Sequence, residues 1–171
     1  MSRDFTRMGA LGAAVVAAVA FGAAPIAAAA PAQPDGDPDF TLYAKEVTGD
    51  DAEPEPTEPP KAGDSFTFAD DFFTSKDQDA ERAGREGGVC NVVRTSEQGG
   101  EMMCVATMVL TGDRGGQLTG QTLLTYSLAE EEGPAFDIAI TGGTGDFADA
   151  RGEVRAVPDG EFQRFEFHLA D

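Results

Sequence analysis

The sequence predicts an all-β domain of eight short strands, a sandwich or a closed barrel, set behind an export segment. Three observations predict it. Short strand-like runs recur from Phe40 to the end of the 171 residues, turns rich in Gly, Asp or Glu separate them, and no long helical period interrupts them.

Residues 1–32 are expected to be a signal peptide. MSRDFTR carries two arginines against one aspartate, and the uncharged MGALGAAVVAAVAFGAAPIAAAA follows. Ala30-Pro31-Ala32 places small residues on either side of a variable one, which predicts cleavage before Gln33. A retained anchor is the competing reading, because the apolar stretch is nearly long enough to span a bilayer. Its alanine and glycine content makes it weakly hydrophobic, and its end is cleavable. The expectation is a secreted, extracellular protein whose mature form holds no membrane segment.

Residues 33–39 read as a flexible lead-in, and residues 40–171 as the domain. DGDPD lacks the spacing and closing glutamate of an EF-hand loop. FTLYAKEV (Phe40–Val47) is the first strand. The Pro/acid run TGDDAEPEPTEPPKAGD opposes both helix and central strand and reads as a loop. SFTFADDFF (Ser65–Phe73) is the second strand, and TSKDQDAERAGREGG is a polar loop with one helical turn. GVCNVVRT, EMMCVATMVL, QLTGQTLLTYSL, PAFDIAIT, GEVRAV and EFQRFEFHL complete the set. Alternation gives the strands two faces. Phe165, Phe167 and Leu169 share one, as do Phe136, Ile138 and Ile140, while Asp137 lies opposite with Ala139 and Thr141.

Cys90 and Cys104 are the only cysteines, and in an oxidising compartment they are expected to form one disulfide. They lie on neighbouring strands joined by SEQGG, and their even separation lets both point to one face of a hairpin. Two cysteines and the single histidine, His168, are too few for a zinc site.

The net charge is −19, from 12 Lys+Arg against 31 Asp+Glu. Removing residues 1–32 takes two basic residues and one acidic residue, leaving a mature chain near −20. That sign opposes binding to nucleic acid or anionic membranes.

The stretch ITGGTGDFADARGEV (Ile140–Val154) spends four glycines in a short space. Phosphate binding does not fit, because no Lys-Ser/Thr pair or helix follows, and the strand-helix alternation of a dinucleotide fold is absent. Gly142, Gly143, Gly145 and Gly152 are instead expected to form a tight strand-to-strand corner. No G-x-S-x-G elbow or hydrolase triad is present.

TGGTGDFADARGEV resembles the glycine motif of plant dirigent proteins, allene oxide cyclases and their bacterial barrel relatives. SFTFADDFF is similar to the dirigent strand that ends in paired aspartates, and GREGGVCNVV to the segment after it. FTLYAKEV stands where the family has its first strand, so the resemblance spans Phe40 to Asp171 in order. The chain departs from it where Phe72-Phe73-Thr74 replaces the dirigent Pro-Leu-Thr run, and in its cysteine pair. The resemblance implies an eight-stranded antiparallel barrel, assembly as a homotrimer, and a cavity for a hydrophobic small molecule handled without a cofactor.

By motif, it also implies that Asp70, Asp71, Asp137 and Arg151 act on that molecule. A carboxylate in a poorly hydrated barrel has a raised pKa and can exchange a proton near neutrality, and an arginine can hold developing negative charge. Structural roles compete: Asp70 or Asp71 as a turn cap, Arg151 as a tie across the glycine corner, Asp137 as a solvated outward group. Two functions follow: a cofactor-free cyclase, isomerase or stereo-directing protein, and a non-catalytic binding or structural barrel, which carries a lipid-like ligand as lipocalins do or holds none.

Overall fold

A computed structural model describes residues 36–47, 58–112, 114–129 and 133–170. The signal-peptide expectation and the first part of the lead-in lie outside these residues. Eight strands form one closed barrel: β1 (Phe40–Glu46), β2 (Ser65–Phe73), β3 (Arg82–Ser96), β4 (Gly99–Leu110), β5 (Gly116–Ser127), β6 (Phe136–Gly145), β7 (Gly152–Asp159) and β8 (Phe162–Leu169). Each strand is antiparallel to the next, and β8 closes on β1. The sandwich alternative is thereby removed.

Two boundaries differ from expectation. The segment read as a polar loop ends early, and Arg82–Gly88 is the first half of β3, paired with β2 and β4. It hid because Gly84 and Gly88 occupy inward positions, so no bulky alternation marks the strand. The glycine stretch likewise continues β6, whose residues Gly142, Gly143 and Gly145 pair with Thr119, Leu118 and Gly116 of β5. The corner itself is residues 146–151, after which Gly152 opens β7. Gly143 is needed for close approach, since a Cβ there would collide with the carbonyls of Gln117 and Phe147. Gly145 is needed for its φ of 62°, which a side chain disfavours.

Alternation sends one face of every strand inward, and the barrel is filled at one end only. Phe72, Met108, Leu118, Val154, Phe165 and Phe167 are fully buried. Phe147, from the β6–β7 corner, joins the same core and plugs that end. Phe40 stacks on Phe167 with ring centroids 4.3 Å apart. Each such side chain contributes about 1.5–3 kcal/mol through burial. The start of β1 and the end of β8 both lie at this filled pole, tied by a 2.7 Å bond from the Leu169 N–H to the Asp39 carboxylate.

The β3–β4 hairpin sets Cys90 directly opposite Cys104, and the two form a disulfide. On the outer surface of β4 and β5, Met103, Val105 and Leu123 are exposed, with Met103 opposite Leu123.

Candidate functional site

The unfilled half of the barrel holds a cavity of about 340 Å³, opening where β1 ends and β8 begins. That is within the usual range for a small-molecule site. Its walls are mainly apolar, with Phe68, Leu124, Phe136, Ile138 and Phe165 around the Cys90–Cys104 bridge and Ala106. Set among them are three carboxyl groups, Glu46, Asp70 and Glu86.

The sheet register explains how two of these acids meet. Asp70 shares the inward parity of Phe72, and Glu86 that of Cys90 and Val92. The β2–β3 ladder pairs Asp70 with Glu86, so the two carboxyls stand side by side on the inner wall. Glu86 is 6% exposed. Burial, and then the adjacent Asp70 charge, push its pKa up to about 8. The pKa of Asp70 is also raised, first by burial and further by Glu46 and Asp71, while its hydrogen bond with Glu86 acts in the opposite direction. Burial thus favours the protonated form of Glu86, and the interaction between the two carboxyls favours the proton on Glu86 and the charge on Asp70. Such a pair can give a proton and take one back without leaving the cavity.

The other residues singled out from sequence lie elsewhere. Asp71 points outward and pairs with Arg82. Asp137 is on the outer face of β6, where Arg155 of β7 binds it at 3.0 Å. Arg151 is exposed on the corner at the filled end and donates to the Ala150 carbonyl at 2.7 Å. Asp70 alone of the four faces the cavity, and the acid beside it, Glu86, had not been singled out. The signal for it was the parity of Cys90 and Val92, which extends back through Gly88 to Glu86.

The family profile described as "Allene oxide cyclase barrel like domain" matches residues 41–166. No curated protein matches the chain. Among solved structures, one named pyocyanin demethylase is similar with a TM-score of 0.58 and 25% identity, over 77% of this chain and 98% of that one. The pterocarpan synthase dirigent protein GePTS1 is similar at 0.51 and 24% identity, over 74% and 78% of the two chains. A second pterocarpan synthase dirigent protein, PsPTS1, gives 0.51 and 20%, over 80% and 100%. These last two likenesses speak to the fold. A closed eight-stranded barrel with an acid-bearing cavity at one end, matched by that profile over most of its length, belongs to the allene oxide cyclase barrel-like family.

Proposed function

We propose that the protein is a secreted, cofactor-free acid–base catalyst acting on a hydrophobic small molecule held in the open half of the barrel. One observation carries this reading: Asp70 and Glu86 stand side by side inside the apolar cavity, where burial raises the pKa of both. The likeness to a structure named pyocyanin demethylase supports an enzymatic role over simple carriage.

The chemistry follows from the pair. Protonated Glu86 gives its proton to a basic atom of the bound molecule as negative charge develops there. The Asp70 carboxylate removes a proton from a second position, and the pair regains its single proton by internal transfer. The molecule's bonds shift with no net gain or loss of protons, which is the balance of an isomerisation or cyclisation. Proton transfer of this kind is worth roughly 10²–10⁴ in rate. The phenyl walls contribute by holding a flexible substrate in one conformation.

Native mass spectrometry tests the proposal. Protein purified from its source should carry an apolar metabolite, and incubation should change that metabolite chemically. Asp70→Asn should retain it unchanged, and Ala106→Phe, which fills the cavity, should exclude it. A metabolite bound but never altered by the wild-type chain would show a carrier instead. Occupancy that Ala106→Phe leaves intact would remove the cavity from the account.

The exposed Met103, Val105 and Leu123 support self-association through the outer face of β4 and β5, as a homotrimer. A monomer mass in sedimentation equilibrium would rule that out. Secretion is checked by the N-terminus of the protein recovered from the medium, expected at Gln33.

A further inference from the structure

The cavity is one-sided in charge. Its ionisable lining is Glu46, Asp70 and Glu86, from β1, β2 and β3, while β4, β5, β6 and β8 present only uncharged side chains to it. Among the described residues, no lysine, arginine or histidine lines it. Cations on the neighbouring strands are turned away. Lys45 sits on the outer face, 5.3 Å from the Phe162 ring centroid, and Arg155 is engaged outside by Asp137.

The aromatic walls have the same preference. Phe68, Phe136 and Phe165 all line the space, and a phenyl face presents negative quadrupole density that attracts cations. Gly88 allows one of these rings its position. A Cβ on Gly88 would collide with the Phe68 ring, so that ring occupies the space between the inward Glu86 and Cys90. Ring and carboxyl thus stand together on one wall. An anionic ligand would meet like charge at close range, and a strongly hydrated inorganic cation would lose its water to phenyl faces. A bulky, weakly hydrated organic cation satisfies both features.

We propose that this cavity selects lipophilic organic cations, with a quaternary or protonated nitrogen beside Asp70 and Glu46 and an apolar body against the phenylalanines. The proposal rests on the small-molecule reading above and narrows its substrate class.

Fluorescence titration of the full mature chain with three naphthyl probes of similar size tests it: (naphthylmethyl)trimethylammonium, naphthylmethanol and naphthylacetate. The ammonium probe should bind at least about tenfold tighter than the alcohol, equal to roughly 1.4 kcal/mol, and naphthylacetate should bind most weakly. Asp70→Asn and Glu46→Gln should each shrink the cation's advantage at least about threefold. Asp149→Asn changes net charge equally from the exposed corner at the filled end and should leave that advantage intact. A loss of advantage in Asp149→Asn equal to that in the cavity variants would mean surface attraction and overturn the assignment. Equal affinity for all probes, or preference for naphthylacetate, would overturn it while leaving the small-molecule barrel in place. Failure of every probe to bind would overturn both.

Discussion

Replacing Glu86 with glutamine should remove most of the protein's loss of stability between mild acid and mild base. In the folded chain Glu86 holds its proton up to about pH 8, whereas an ordinary glutamate releases it near 4.5. Between those values the folded state binds a proton that the unfolded state has lost. Stability is therefore greatest below the unfolded pKa and falls as pH rises towards the folded one. The slope is about 1.4 kcal/mol per pH unit, so roughly 4 kcal/mol is lost between about pH 5 and pH 8. Glutamine has the shape of protonated glutamate, donates to Asp70 in the same way, and does not titrate. General repulsion within a chain of net charge −19 affects both proteins alike, so the difference between them isolates the buried proton. Urea unfolding with the disulfide intact, at both pH values, reads it. The variant should match the wild type in acid and exceed it by several kcal/mol in base. Parallel stability curves would refute the reasoning.

The disulfide closes a span of 14 residues, and Cys90→Ala/Cys104→Ala should lower stability by about 3 kcal/mol in the chain-entropy account. An unchanged urea midpoint would contradict that. Asp137→Ala leaves Arg155, whose side chain is 12% exposed, without its partner, and should cost about 1–3 kcal/mol while leaving ligand conversion unchanged. Arg151→Ala should alter stability by less than about 0.5 kcal/mol and conversion not at all. Lost conversion in either variant would place chemistry outside the cavity.

The barrel was legible wherever alternation was strong. Phe136/Ile138/Ile140 and Phe165/Phe167/Leu169 announced a bulky face on each strand, though not which face was inside, and the even spacing of the cysteines allowed the bridge that forms. Legibility failed where the inward residues are glycines. Gly84 and Gly88 flank Glu86, so the strand that carries the buried acid showed no bulky periodicity. Gly142 and Gly143 similarly disguised the end of β6 as a turn. The placement of Asp137 was in fact readable, since its parity opposes Phe136 and Ile138, but motif resemblance pointed the other way. Nothing in a linear sequence states that Asp70 and Glu86 are adjacent. Their meeting depends on the β2–β3 register, a long-range property set by closure of the whole sheet.

Because β1 starts and β8 ends at the plugged pole, both points of attachment to the domain lie opposite the ligand entrance. A reporter, an affinity handle or a surface linker attached there leaves the doorway clear. The domain can thus be moored by its base, with its opening turned to the surrounding fluid.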